Sequence, residues 1–340
     1  MSRQPRKVRT AVIGLGWPGI QHLKGYIAYG ESEVVAACDL DEKRCKTVAA
    51  EYNIPHTFTD HRKMLQSREI DAVSVCLPNF LHAPISIDVL NAKKHVLCEK
   101  PPACSAKEAE GMARAAEKNR RTLMYAVVQR FGGNAQFLKK MIEAGELGEV
   151  YFGKAGYVRR RGMPLGREAW FVDKSRSGGG ALVDIGVHAL DCIWWLMGNP
   201  NPVAVMGAAY SKFGHLAPKK VKYNVDDATF AQIRFENGAT IMLEATWVLN
   251  LPGGGYVQIA GTKAGAKLNP LTIYTEEGGK EIDKTPEVAT VNSFDEETKH
   301  FVDCIRDGRE PISSARQGVT LMRMLDAIYQ SSEKKREVTL

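Results

Sequence analysis

The sequence predicts an α/β chain: a doubly wound parallel sheet first, then an α+β region with an open, mainly antiparallel sheet. Three observations predict it. Short β-branched runs alternate with helix-patterned stretches as far as Ala126, the order that builds parallel sheets. Beyond that point the apolar period becomes two, with Thr229, Ala231, Ile233 and Phe235 alternating against Phe230, Gln232 and Arg234. Asn237-Gly238 then separates this run from a second, through Ile241, Leu243, Ala245 and Trp247, and Asn-Gly between alternating runs is a strong hairpin signal. A length of 340 residues fits about two domains on a prior of roughly 150 residues each. The change of pattern divides them into 1–126 and 127–340.

In chain order, residues 8–13 (VRTAVI) form a strand that runs into Gly14-Leu15-Gly16-Trp17-Pro18-Gly19, with a helix from near Ile20. The strand 34–38 ends in Asp39, and helices are expected near 43–51 and 61–66. The strand 72–77 runs into Pro78-Asn79, a helix covers about 84–92, and the strand 95–98 ends in Glu99-Lys100-Pro101-Pro102. A helix over 106–118 leads to the strand 123–126. In the second region a helix near 135–144 precedes a long strand, 149–158, and the run Arg159-Arg160-Arg161. After the hairpin come short strands at 256–260, 266–268 and 271–274, then helices at about 294–306 and 315–333. Gly253-Gly254-Gly255 reads as a loop.

Gly14 to Gly19 is G-x-G-x-x-G between a strand and a helix. Its glycines permit a tight turn and let backbone N–H groups approach a pyrophosphate at the helix N-terminus. Alone the pattern is weak, since an ordinary Gly-rich turn looks the same. Here a second strand follows and ends in Asp39, twenty residues after Gly19, where an acid accepts hydrogen bonds from ribose hydroxyls. Strand, glycines, helix, strand and acid together make 1–126 a dinucleotide-binding domain. Ligands of such sheets sit outside the carboxyl ends of the strands, which adds Pro78, Asn79, His82, Glu99 and Lys100 to the cofactor site. Pro101 restricts Lys100 to extended geometry; the bland alternative is a solvated loop lysine.

Ser177 to Gly198, SGGGALVDIGVHALDCIWWLMG, organises the rest. Three glycines open a helix that is apolar almost all round, and such a helix is buried. Asp184, His188 and Asp191 lie three and four residues apart, so they share one face as a polar stripe. Burying them unpaired would cost roughly 2–7 kcal/mol each. Either a packed hydrogen-bond network or a substrate offsets that cost. The glycines allow a ligand or another backbone to come close.

Composition excludes several classes. Hydrophobic content of 44% and charged content of 25% are those of an ordinary globular chain. No apolar run approaches the ~18 residues of a membrane span, and the basic stretch Arg3 to Arg9 precedes a strand-like segment rather than a signal-peptide core. The seven cysteines are scattered, without metal spacing. A cytoplasmic, thiol-reduced, metal-free protein is expected. The net charge of +7 is dispersed, with no aromatic-interleaved basic stripe, so neither a nucleic acid nor a membrane is expected as partner. A basic excess equally draws in an anionic cofactor or substrate.

Taken together the chain resembles the Gfo/Idh/MocA oxidoreductase family over nearly its whole length. The resemblance rests on the Gly14–Gly19 motif, Leu77-Pro78-Asn79-Phe80-Leu81-His82, Cys98-Glu99-Lys100-Pro101, and Gly178-Gly179-Gly180 through Asp184, His188 and Asp191. Phe301 to Gly308 and the helix through Ala327-Ile328-Tyr329 match as well. The resemblance implies an NAD(P)-dependent dehydrogenase acting on a sugar, sugar derivative or inositol. It makes Lys100 and His188 catalytic, with Asp184 binding substrate and assisting.

The chemistry agrees with that implication. Oxidising a secondary alcohol needs a proton acceptor at the hydroxyl, which a neutral imidazole supplies near pH 7. A lysine stabilises the developing alkoxide. Arg159, at the head of the arginine run, could grip a carboxylate or phosphate, and a solvated strand end is equally compatible. Trp170 could stack on a sugar face or be core. Two other functions share the fold: an NAD-using glycosidase that oxidises its sugar transiently, and a non-catalytic NAD(P)/sugar sensor. Retention of both Lys100 and His188 counts against the sensor. NAD rather than NADP is expected, because Asp39 and Asp41 repel a 2′-phosphate and neither Leu40 nor Asp41 supplies an arginine. A homodimer or homotetramer is expected through the open sheet, with Phe230 and Met242 at the interface.

Overall fold

The computed structural model describes residues 6–166 and 169–340, so Arg3 of the basic N-terminal stretch lies outside the described residues. It divides into two compact units: one runs to Ala103 and adds 107–128 and 292–319, the other comprises 104–106, 129–291 and 320–340. Most of the first unit precedes residue 129, but 292–319 belongs to it as well.

The first unit alternates strand and helix: β1 (Val8–Ile13), α1 (Trp17–Ala28), β2 (Ser32–Cys38), α2 (Glu42–Tyr52), β3 (His56–Phe58), α3 (His61–Leu65), β4 (Ala72–Val75), α4 (His82–Asn91), β5 (His95–Glu99), α5 (Ala106–Asn119) and β6 (Leu123–Ala126). Its six strands are all parallel, in the order β3-β2-β1-β4-β5-β6. β4 and β6 are buried at every residue, as strands covered on both faces must be. The chain leaves β1 towards β2 and returns on its other side at β4, which makes β1/β4 the point where strand order reverses. Ligands of doubly wound sheets bind there. α1 begins at Trp17 rather than near Ile20, because proline at the first turn lacks only an N–H that no helix would use. β3 escapes a periodicity argument: it has three residues and none is buried.

The second unit holds α6 (Gly133–Glu143), β7 (Val150–Val158), α7 (Lys174–Ser177), α8 (Val187–Leu196), β8 (Pro202–Tyr210), β9 (Ala228–Phe235), β10 (Thr240–Thr246), β11 (Gly254–Gly261), β12 (Gly265–Lys267), β13 (Thr272–Glu277) and β14 (Lys280–Lys284). Next come α9 (Ser293–Asp307), which belongs to the first unit, then α10 (Ala315–Lys334) and β15 (Val338–Thr339). The sheet is nine-stranded, ordered β14-β13-β12-β11-β7-β10-β9-β8-β15, and antiparallel except where β7 runs parallel to β10. Thr229, Ala231, Ile233 and Phe235 are buried, as their alternation predicts, and β9 and β10 form the expected hairpin. The opposite face carries the cross-strand row Met206–Gln232–Met242–Lys154, with Met242 39% exposed. Gly254 and Gly255 are a correction: they belong to β11, paired with Val158 and Tyr157 of β7.

β1 and β4 are also tied at their start by charge. The Asp71 carboxylate accepts the Arg9 backbone N–H at 3.0 Å and the Arg9 guanidinium at 3.0 and 3.1 Å, and Arg6 joins it at 2.6 Å. Burial alone would raise the Asp71 pKa, but the hydrogen bonds and charge of Arg9, with the charge of Arg6, hold it below the ordinary value of 3.8. A depressed folded pKa means stability that is complete above 3.8 and lost as pH falls through the folded value. Urea unfolding is therefore expected to show Asp71→Asn less stable than the unmodified protein at pH 7, with the gap closing in acid. A gap independent of pH would rule this coupling out.

Candidate active site

The glycine motif divides its labour among three residues. Gly14 turns the chain at φ +88°, and a Cβ there would stand 2.1 Å from the Cys76 carbonyl oxygen of the neighbouring strand end. A Cβ on Gly19 would meet the Gly14 carbonyl at 1.9 Å, so α1 packs directly on the turn. Gly16 differs, since the nearest atom to a Cβ is Pro18 Cδ at 3.9 Å. That open space lies at a helix N-terminus with no side-chain cap and no acid in its first turn. Leading N–H groups left without an internal partner, beside room for a ligand, suit a pyrophosphate. Trp17 is 67% exposed, its ring edge-on to Phe294 at 5.4 Å.

Asp39 closes the other end of the motif. Its carboxylate accepts the Leu15 N–H at 2.8 Å and the Asp41 N–H at 2.9 Å, which fixes the acid against the glycine turn. The arginine absent from positions 40 and 41 comes from the next turn instead: Arg44 Nη1 donates to Asp39 at 3.3 Å.

Pro78 and Asn79 follow β4, where residues Asn79–Leu81 form a single 3₁₀ turn with Asn79 buried. His82, expected at the cofactor, is fully buried, with Nδ1 2.7 Å from the Pro101 carbonyl and Nε2 2.7 Å from the Leu77 carbonyl. Its ring braces the loops after β4 and β5 and offers no polar atom to a ligand. Burial pushes its pKa below the ordinary value, while the two carbonyls pull the other way. Glu99 is buried too, and its Oε2 accepts the Lys100 backbone N–H at 3.0 Å. Burial would raise the Glu99 pKa, but His22 and the Lys100 charge hold it below the usual glutamate range, so it is a carboxylate at neutral pH.

In the second unit the stretch 177–198 is not one uniform helix. α7 ends where Gly178 takes φ +82°, a wide π turn covers Leu182–Gly186, and α8 continues from Val187. The close approach that the glycines permit is made by protein. A Cβ on Gly180 would lie 1.8 Å from the Asp226 carbonyl oxygen, and one on Gly179 would lie 2.1 Å from the Tyr329 hydroxyl. Asp226 then accepts the Gly180 N–H at 2.7 Å, the Leu182 N–H at 3.0 Å and the Tyr329 hydroxyl at 2.6 Å. Within Lys174–Leu196 an 18-residue window has a mean hydropathy of 1.2, long and apolar enough to cross a membrane, but 89% of that window is buried inside the structure.

The three polar groups of this stretch separate by environment. Asp191 is buried and paired with Arg130, Nε to Oδ2 at 2.8 Å and Nη2 to Oδ1 at 2.6 Å. Asp184 and His188 are different. From Ala181 to Met197 every other residue is buried, and these two reach a surface. Asp184 Oδ2 accepts the indole N–H of the fully buried Trp247 at 3.0 Å. Arg159 lies over the Tyr157 ring at 5.1 Å with Nη1 3.3 Å from the Gly162 carbonyl, and Trp170 stacks on Phe171 at 3.8 Å. Lys100 belongs to the first unit, whereas Asp184, His188, Arg159 and Trp170 belong to the second.

Residues 8–127 match the oxidoreductase family model for an NAD-binding Rossmann fold, and residues 139–340 match that family's C-terminal alpha/beta domain. The chain belongs to the Gfo/Idh/MocA oxidoreductase family. It is 32% identical to the D-glucoside 3-dehydrogenase of Escherichia coli, across 98% of this chain and 97% of that one. It is 26% identical to a D-xylose 1-dehydrogenase (NADP(+)) of Haloferax volcanii, across 97% and 98%. Among solved structures, the aldose-aldose oxidoreductase from Caulobacter crescentus, complexed with glycerol, superimposes with a TM-score of 0.86 at 26% identity, covering 98% of this chain and 100% of that one. Levoglucosan dehydrogenase, in complex with NADH and levoglucosan, shares the fold with a TM-score of 0.90 at 24% identity, covering 98% and 99%.

As a Gfo/Idh/MocA protein the chain has an NAD(P)-binding Rossmann domain and belongs among sugar and polyol oxidoreductases. Sequence reasoning missed the partners that hold this family's motif residues: Trp247 on Asp184, Arg130 on Asp191, Asp226 and Tyr329 at the helix start. Asp226-Asp227 before an apolar strand was the one signal available for Asp226. The Arg130–Asp191 pair has a measurable consequence. Asp191→Asn removes the negative charge that meets the buried Arg130 guanidinium through two hydrogen bonds, and breaking such a pair costs about 3–5 kcal/mol. Urea unfolding is expected to show a loss of that size; a loss below that of Asp184→Asn would show that the pair is not what stabilises the helix.

Proposed function

We propose that the protein oxidises a secondary ring hydroxyl of a sugar or sugar derivative at the expense of a nicotinamide dinucleotide. One observation carries the reading: along a helix buried from Ala181 to Met197, Asp184 and His188 alone reach a surface. A buried helix that exposes one acid and one imidazole, a turn apart, presents a proton acceptor beside a hydroxyl-binding carboxylate. His188 takes the proton of the substrate hydroxyl. Lys100 stabilises the oxygen as charge develops on it. Asp184 binds neighbouring hydroxyls, its direction fixed by the Trp247 indole. The full-length likeness to a D-glucoside 3-dehydrogenase supports a glycoside or aldose as substrate class.

A bound nicotinamide dinucleotide supplies the two-electron acceptor. Residues Gly14 to Gly19 would hold its pyrophosphate and Asp39 its adenosine ribose. The Asp39 carboxylate, held by Leu15 and Asp41, opposes a 2′-phosphate, and Arg44 is already committed to it. NAD is therefore the expected cofactor, with a higher kcat/KM than NADP, and Asp39→Ala, by releasing Arg44, is expected to narrow the ratio. Equal or NADP-favouring values in the unmodified protein would count against this.

The catalytic roles are read by NADH absorbance over a panel of glucosides, aldoses, uronates and inositols. His188→Ala is expected to lower kcat by about 10²–10⁴, the usual contribution of a general base. Lys100→Met should lose a comparable factor, and Asp184→Asn should raise KM as well. NADH fluorescence titration and thermal melts on each variant separate lost chemistry from lost folding. A folded His188→Ala protein that binds NADH and turns over at the unmodified rate would sink the mechanism.

A further inference from the structure

Among α1, β4, β5 and α9 of the first unit lies a polar cluster that the proposed chemistry does not use. His22, on the inner face of α1, is fully buried. Its Nε2 lies 3.3 Å from Glu99 Oε1 at the end of β5 and 3.8 Å from Glu297 Oε2 on α9. Its Nδ1 lies 3.0 Å from Ser74 Oγ on β4, and that oxygen is 2.8 Å from the Tyr26 hydroxyl. The side chains of His22, Glu99 and Glu297 are 0%, 11% and 0% exposed. Two carboxylates buried against one imidazole are expensive, since each charge taken out of water needs compensation by its neighbours. Apolar side chains of similar size would fill the same space at lower cost, so the cluster calls for a role.

The role follows from what the other Glu99 oxygen does. Oε2 accepts the backbone N–H of Lys100 at 3.0 Å. The carbonyl of Pro101, the next residue, is held by His82 Nδ1 at 2.7 Å. The main chain at Lys100 is thus gripped on both sides, and the grip on its N–H side leads back to His22. We propose that His22 is a positioning residue for Lys100, acting through Glu99. Ser74 and Tyr26 fix the ring, the ring fixes the Glu99 carboxylate, and the carboxylate fixes where the lysine side chain starts. α9, late in the chain, meets α1 closely here: a Cβ on Gly25 would stand 2.2 Å from the Thr298 hydroxyl. The inference rests on the catalytic role proposed for Lys100, but its first readout does not.

That readout is the hydrogen-exchange rate of the Lys100 amide in ¹⁵N-lysine-labelled protein, which requires no turnover. His22→Asn reaches only as far as Nδ1, so it keeps Ser74 and loses Glu99; His22→Gln carries an amide nitrogen out to the Nε2 position. In His22→Asn the Lys100 amide is expected to exchange about tenfold faster or more, as a local opening is made easier, while the Lys118 amide stays unchanged. kcat should fall by about tenfold or more, as misplacement of a reacting group does, with KM and the NADH Kd within about threefold. His22→Gln should recover most of both. A folded His22→Asn protein with unchanged Lys100 exchange overturns the proposal. Faster exchange with kcat unchanged overturns it as well, leaving His22 a structural brace only. Should His22→Asn fail to fold, Ser74→Ala releases the ring at its other end, and unchanged exchange and kcat there overturn the proposal in the same way. Failure of the function itself is separate: it shows as Lys100→Met retaining full kcat, whatever the exchange rates do.

Discussion

A helix that is apolar on every side can exist only inside the protein, and its first N–H groups then have no water to bond. Asp226 resolves that constraint in the second unit. Its carboxylate takes the N–H groups of Gly180 and Leu182, its backbone carbonyl takes that of Ala181, and Thr229 and Tyr329 add their hydroxyls. Several buried donors depend on this one acid, and each would cost roughly 1–3 kcal/mol if left unpaired. The approach is so close that a side chain at Gly180 is impossible without displacing the Asp226 main chain. With its start pinned, the helix has a fixed rotation about its axis, and so a fixed choice of which residues reach a surface.

The π turn at Leu182–Gly186 acts on the same choice. One wide turn inside a helix shifts every later residue round the axis, and such insertions recur at functional sites. Here it comes between the anchored glycines and His188. Asp191 shows the alternative fate of a polar group on this helix: Arg130 meets it with two short hydrogen bonds and both are sealed from solvent. The helix therefore carries one acid committed to a buried ion pair, and an acid and an imidazole that reach a surface. The buried indole N–H of Trp247 fixes the direction of the Asp184 carboxylate.

Legibility in the sequence followed the range of the interactions. The parallel sheet was readable because each strand is a short apolar run bounded by its own turn signals, and the β9–β10 hairpin because Asn237-Gly238 states the turn locally. Gly14, Gly16 and Gly19 were readable as a motif, since the demands on them arise within a few residues. Segments with little local signal were missed or misplaced: β3 and β15 are too short for a period, and β11 begins with glycines that look like a loop but pair with β7. The π turn leaves no trace in residue spacing. The partners of the site residues lie far along the chain, with 61 residues from Arg130 to Asp191 and 63 from Asp184 to Trp247. Nothing in a single sequence joins such positions.

His82 and Asp39, both read as lying at the cofactor, are each held by groups of the protein itself. Both sit at carboxyl ends of parallel strands, where a ligand is expected. His82 turns inward and spends both nitrogens on carbonyls, which joins the loops after β4 and β5. Asp39 binds the glycine turn through Leu15 while Arg44 leans on its carboxylate. An acid held in this way has its position set in advance, which lowers the ordering cost of any contact it makes. It also carries a cation beside it, so the charge presented at the end of β2 is the balance of Asp39 against Arg44 rather than that of the acid alone.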